Sequence, residues 1–209
     1  MSAILTYKPR PMFAQAIIAF LLLAVPQFFT PGPNNIMLMA STARFGARRT
    51  LAHALGVTLG FPAMVFAVGL GLGQLMELYP WLHEVLRWVS IAYLLWMAWH
   101  LLGFRLNTDA QTEGRPMTFV EAAAFQWVNP KAWAMAVSFV GAMVLPGDGR
   151  LLSIVLLTFG CLALAPFSTW LWMFFGQQLV HFLRRTRSER ALGVILALSM
   201  LAAIALFVF

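Results

Sequence analysis

Gln27-Phe-Phe-Thr-Pro31-Gly-Pro33-Asn34-Asn35 interrupts one apolar run, and Gln126-Trp-Val-Asn129-Pro130-Lys131 interrupts another about a hundred residues later. A proline lacks the backbone N–H and clashes with the carbonyl four residues earlier, which for Pro31 is that of Gln27 and for Pro130 that of Gln126. Unpaired backbone groups at membrane depth are tolerated only where protein or a water-lined cavity satisfies them. Paired interruptions of two spans are therefore the strongest pointer in a sequence to a transporter's binding site.

The surrounding sequence makes these runs membrane spans. The chain has 209 residues, 61% of them hydrophobic and only 10% charged, with a mean hydropathy of +0.81. Soluble domains do not have that composition. Divided into spans of about 20 residues with short connections, the length accommodates roughly six helices. A first helix covers about Phe13 to Ala43; straight, it would be about 46 Å long against a hydrocarbon core of about 30 Å. It must bend, and the Pro-Gly-Pro is where. Helix 2 is expected over about Thr50 to Leu75, helix 3 over Leu82 to Phe104, helix 4 over Thr118 to Leu145, helix 5 over Leu151 to Leu179 and helix 6 over Ala191 to Phe209. Helix 4 is also too long for a straight crossing and carries its own break. Lys8 and Arg10 before Phe13 to Val25 imitate a signal peptide, but no small-x-small cleavage site follows, so the segment reads as a retained helix.

The formal net charge of +7 follows membrane topology rather than nucleic acid. Arg44, Arg48, Arg49, Arg105, Arg115, Arg184, Arg185, Arg187 and Arg190 lie after helices 1, 3 and 5, against Lys8, Arg10, Arg87 and Arg150 on the other side. The positive-inside rule puts the first group in the cytoplasm and both termini outside, although Lys8 and Arg10 pull the other way.

The two halves repeat. Superposing Gln27 on Gln126 also aligns Phe28 with Trp127 and Pro31 with Pro130, at an offset of 99 residues. Gly56 and Pro62 in helix 2 match Gly160 and Pro166 in helix 5 at an offset of 104. Three helices per copy force the second copy to enter the bilayer inverted, a transporter architecture with its site at the midplane. The expected fold is thus an all-α membrane protein, one transporter domain over 1–209, with repeat 1 over about 12–104, a linker over about 105–117 and repeat 2 over about 118–209.

Thr30, Pro31, Gly32, Pro33, Asn34, Asn35, Gln126, Asn129, Pro130 and Lys131 are the candidate substrate-binding residues. A helix restarting at Pro33 aims unpaired amides and a positive dipole end into the break, which suits a carboxylate. Asn34 and Asn35 add amide donors and acceptors, or merely cap the kinked helix. Lys131 is the one charged side chain expected deep in a span, at an insertion cost of about 2.5–3.5 kcal/mol. It either answers a substrate carboxylate or fills the role of a bound cation by donating to the carbonyls that Pro130 exposes. Gln126 and Asn129 share a helical face, and with Gln27 they line a cavity or bond helix to helix.

Other features are weaker. Gly56 and Gly60 form a GxxxG that usually means close helix contact. Gly69, Gly71 and Gly73 follow no strand and make no nucleotide fingerprint. His53 and His100 read as interfacial histidines, with proton handling as the alternative. Glu121 is the nearest carboxylate to the second break and favours a helix N-terminus. Cys161 stands alone, so no disulfide, CxxC pair or thiolate metal site is expected. No HExxH, GxSxG or paired buried aspartates point to an enzyme, a metal or a cofactor.

The Thr30-Pro-Gly-Pro-Asn-Asn35 motif followed by Arg44, Gly46 and Arg48 resembles the LysE/RhtB family of amino-acid exporters. Leu55-Gly-Val-Thr-Leu-Gly60, Ala92-Tyr-Leu-Leu-Trp-Met-Ala-Trp99 and Phe125-Gln-Trp-Val-Asn-Pro-Lys131 extend the resemblance over nearly the whole chain. Asn34-Asn35 and Val144-Leu-Pro146 are most similar to the cysteine and O-acetylserine exporter branch. The resemblance implies a bacterial inner-membrane exporter of a small amino acid or derivative, driven by the proton gradient, often proposed to form a homodimer, whose partners are its substrate and the lipid bilayer. It places functional roles on Pro31, Gly32, Pro33, Asn34, Asn129, Pro130 and Lys131. A passive channel or structural membrane subunit is the alternative the residues leave open.

Overall fold

Apolar runs this long fold as helices because the bilayer leaves each backbone amide only its own chain to bond with. A computed structural model describes residues 12–102, 114–186, 194–198 and 201–202. Among the described residues there is no strand. Helix α1 (Met12–Phe29) ends at the first interruption, and α2 (Pro33–Phe45) restarts beyond it at an angle of 50°. Helix α3 (Ala47–Ala67) follows Gly46 and runs through a π-helical turn at Val68–Leu72 into α4 (Gly73–Leu78). Helix α5 spans Pro80–Leu102. The second interruption divides α6 (Phe119–Phe125), a 3₁₀ turn (Gln126–Val128) and α7 (Pro130–Met143). Helix α8 (Arg150–Thr186) has 37 residues, about 55 Å of helix, and so outruns a bilayer core.

Among the described residues, two helices, Ala47–Leu72 and Gly147–Val180, are long and apolar enough to cross a membrane, and the bent pair Ala14–Phe29 and Pro33–Phe45 makes a third when counted as one span. Of the sixth helix expected over about 191–209, residues 194–198 and 201–202 are described and are helical. The rest of that helix lies outside the described residues, as does most of the linker expected over about 105–117.

Small residues bring the helices together. A Cβ on Gly60 would lie 2.7 Å from the Cα of Ala123, and one on Gly56 would strike Phe119 and Ala122, so the GxxxG of α3 seats the backbone of α6. Gly176 of α8 meets α2 at Met39 and Thr42 in the same way. Buried hydroxyls of Thr58 and Thr169 lie 3.3 Å apart and tie α3 to α8. Beneath the first break, Phe28, Phe61 and Phe139 form an aromatic knot, with Phe28 edge-on to Phe61 at 5.4 Å. The apolar cluster around it includes Met64, Ala132 and Cys161, which is buried as a free thiol.

Candidate functional site

Proline decides where both helices restart. Pro33 stands at the first position of α2 and Pro130 at the first position of α7, where a missing N–H costs nothing. Counted from the restart, Pro33 therefore corresponds to Pro130 and Asn34 to Lys131, two residues out of step with the register that pairs Pro31 with Pro130.

The first break frees the carbonyls of the last turn of α1, and side chains answer them. Asn35 Nδ2 donates to Phe28 O at 3.0 Å and to Thr30 O at 2.8 Å, and Ser168 Oγ donates to Phe28 O at 2.7 Å. Thr30 Oγ1 returns a hydrogen bond to Gln27 O at 3.3 Å. Asn35 thus staples the break shut on itself. Gly32 has no side chain to cap α2, which leaves the first amides of that helix aimed into the gap.

The second break is self-contained. Asn129 N donates to Gln126 O across the 3₁₀ turn, and Asn129 Oδ1 caps α7 by accepting from Lys131 N at 3.1 Å. What projects from it is Lys131. Its Nζ donates to Thr30 O and Thr30 Oγ1, both at 2.9 Å, with Pro31 O at 3.4 Å. The ammonium of one break thus sits among the freed carbonyls of the other, as a bound cation would. Gly32 is what lets it pass: a Cβ there would fall 2.6 Å from Lys131 Cδ. A second link joins the halves. Asn34 Nδ2 donates to Gln126 Oε1 at 2.8 Å and Gln126 Nε2 returns to Asn34 Oδ1 at 3.2 Å, while Gln126 is fully buried.

Between the breaks lies a cavity with about 40 Å³ of free space, room for a few water molecules. Its polar wall includes Gln27, Asn34, Asn35, Asn129, Lys131 and Ser168; its apolar wall includes Phe28, Phe61, Ala132 and Met135. Of the residues singled out from sequence, Gln27, Gly32, Asn34, Asn35, Asn129 and Lys131 face this space. Thr30 and Pro31 stand behind it and hold Lys131, Gln126 holds Asn34, and Pro33 and Pro130 set the two restarts. Ser168 and Thr169, also on the wall, went unnoticed in the sequence. Pro166, inside α8 with a Ser-Thr pair just beyond it, was their signal: Thr169 Oγ1 donates to Pro166 O at 3.0 Å.

Glu121 is elsewhere. It stands in the first turn of α6, not in any of the helices that are long and apolar enough to cross a membrane among the described residues, where it closes a capping box with Thr118 and receives both arms of the Arg115 guanidinium at 2.6 Å. Those bonds hold its carboxyl down at about 2. His53, in the second turn of α3, is fully buried.

Residues 26–209 match the family described as LysE type translocator. The chain belongs to this family. No solved structure matches it. Among curated proteins it is similar to three named cysteine/O-acetylserine efflux protein. The one from Klebsiella pneumoniae is 32% identical over 130 residues, covering 62% of this chain and 66% of that one. The one from Salmonella paratyphi A is 27% identical over 191 residues, 90% and 93% of the two chains. The one from Escherichia coli K12 is 28% identical over 170 residues, 81% and 85%. This LysE-family chain is thus a multi-pass membrane protein related to efflux transporters rather than to enzymes, and its named relatives are those of the branch its motifs resemble.

Proposed function

We propose that this LysE-family protein is a bacterial inner-membrane exporter of a small zwitterionic amino acid or derivative, with the O-acetylserine and cysteine class as substrate. Its six spans form two inverted three-helix repeats, with both termini periplasmic, and they rock in alternating access around the cavity between the two breaks. One observation carries this reading: the Lys131 ammonium of the second break rests on the Thr30 and Pro31 carbonyls of the first.

A substrate carboxylate entering the cavity competes for that ammonium. The uncapped amides at the start of α2 receive the carboxylate at the positive end of the helix dipole. Lys131 leaves Thr30 to join it, and the freed carbonyls of Thr30 and Pro31 accept the substrate's own ammonium. The substrate thereby replaces the bonds that locked the halves together, which couples its binding to their movement. Phe61, Ala132 and Met135 give a small uncharged side chain an apolar bed. Export is proton-coupled, and Lys131 is the titratable group on the wall.

Counterflow in proteoliposomes tests the whole reading. Vesicles loaded with unlabelled O-acetylserine are expected to accumulate labelled O-acetylserine transiently and saturably, and Lys131→Met to abolish the overshoot. Linear, non-saturating equilibration would mark a passive channel and sink the proposal.

A further inference from the structure

Gln27 and Gln126 open the two interruptions at matching positions, 99 residues apart. Each folds its side chain back onto its own helix. Gln27 Nε2 donates to Leu23 O at 3.2 Å, and Gln126 Nε2 donates to Ala122 O at 2.9 Å, four residues back in both cases. A carboxamide held by one N–H keeps its carbonyl and its second N–H side by side, an edge that offers one acceptor and one donor.

The two edges meet different partners. That of Gln126 grips the carboxamide of Asn34 through the reciprocal bonds at 2.8 and 3.2 Å. Counted from the restarts, the residue that would do the same for Gln27 is Lys131, and its Nζ is committed to Thr30 and Pro31. Among the described residues, the bond to Leu23 is the one hydrogen bond of the Gln27 side chain. Gln27 is half-buried and lines the break cavity, so its unmatched edge is open to what enters.

The chain carries its own template for what such an edge holds. Asn34 on Gln126 is a primary carboxamide, whose carbonyl accepts from the glutamine N–H and whose N–H donates to the glutamine carbonyl. An ester carbonyl answers the N–H alone. An alkyl side chain answers neither and leaves both groups of Gln27 dehydrated and unpaired, which is how a hydrogen-bonding site rejects an apolar isostere. The position suits a substrate side chain. Gln27 stands three residues, about 4.5 Å of helix rise, before Thr30, and it shares the cavity with the apolar bed of Phe61, Ala132 and Met135.

We infer that Gln27 is the specificity-determining residue of the break cavity and selects zwitterions whose short side chain ends in a carbonyl, a primary carboxamide above an ester. The inference rests on the break cavity being the substrate site, as the export reading has it. It ranks asparagine with or above O-acetylserine. Both stand ahead of leucine, which has nearly the shape of asparagine without its polar groups.

Scintillation proximity with labelled asparagine and labelled leucine, on the purified full-length chain in detergent, tests this without requiring transport. Asparagine is expected to bind saturably, to be displaced by O-acetylserine, and to half-saturate at a concentration at least about tenfold below leucine, the size of two neutral hydrogen bonds. Gln27→Leu is expected to erase that ratio or invert it, whereas a merely structural role would weaken both ligands alike and leave the ratio standing. Gln27→Glu keeps the acceptor and loses the donor; it is expected to lower the ratio too, and gives the same comparison should Gln27→Leu not insert. No saturable asparagine binding, equal binding of leucine by the parent chain, or a ratio unchanged in the variants would each overturn the inference. Counterflow of labelled O-acetylserine reports on export separately. An overshoot without an asparagine preference overturns the role of Gln27 alone, and a preference without an overshoot overturns export alone.

Discussion

The two breaks use the same first-position proline and solve its consequences in opposite ways. The second caps itself: Asn129 supplies the oxygen that α7 requires, and the 3₁₀ turn absorbs the backbone bond that Pro130 denies. The first has a glycine where a cap would stand, and its carbonyls depend on Asn35, on Ser168 of α8 and on Lys131 of α7. A break that satisfies itself serves as a fixed mount for a side chain. A break that borrows its partners can, on the reading proposed above, exchange them for those of a ligand. The asymmetry gives the cavity one rigid wall carrying charge and one exchangeable wall carrying amides and carbonyls.

Removing the charge should disturb this comparison most. Lys131→Met is expected to lower counterflow by about 100-fold, since bonds to a charged group are worth about 1.5–3 kcal/mol each. Lys131→Arg keeps charge but not shape, and should recover only part of that loss. Next in size, Gly32→Ala puts a methyl against Lys131 Cδ without straining an extended backbone. Export is expected to fall about tenfold, the effect of one weakened charge-assisted bond, with insertion unchanged on a fluorescence-detected size-exclusion profile.

Gln126→Leu breaks the amide pair and leaves Asn34 unmatched. The expected cost is about 1–3 kcal/mol of stability, read as a lower thermal midpoint in detergent. Asn129→Ala removes only a cap, about 1 kcal/mol, and Asn129→Asp should restore it. If Asn129→Ala proved as damaging as Lys131→Met, the self-contained character of the second break would be wrong.

The smallest effect is expected away from both breaks. The Arg115 guanidinium depresses the Glu121 carboxyl from 4.5 to about 2. A depressed carboxylate contributes stability that is present above its ordinary pKa and lost as pH falls toward the depressed one. The thermal midpoints of the parent chain and Glu121→Gln should therefore differ by a constant amount from pH 6 to 8, draw together as pH falls below about 4.5 and meet near pH 2. A midpoint difference that changed near neutral pH would show that the Arg115 pair does not hold the Glu121 carboxyl down.

Much of this site was legible before any coordinates. Proline and length together required a bend in the first run, because a straight helix would overshoot the bilayer. Lys131 drew notice because a buried ammonium needs a reason. The GxxxG of Gly56 and Gly60 announced the close contact that α3 makes with α6. That His53 is buried could not be read ahead, since a sequence locates a helix end but not the neighbour that covers it. Ser168 was missed because a serine in an apolar helix is common, and only its proximity to Phe28 O gives it work.

The sequence by itself determined that the chain lies in a membrane, that two helices are interrupted, and that the first restarts at Pro33. Those are local matters of proline chemistry, helix rise and apolar composition. Which groups the interruptions share was decided by tertiary structure alone. Lys131 reaches Thr30 across 101 residues and Asn34 reaches Gln126 across 92, and no local rule spans such distances. A freed carbonyl accepts any donor that arrives, and the packing of α6, α7 and α8 against the first break chose which donors did.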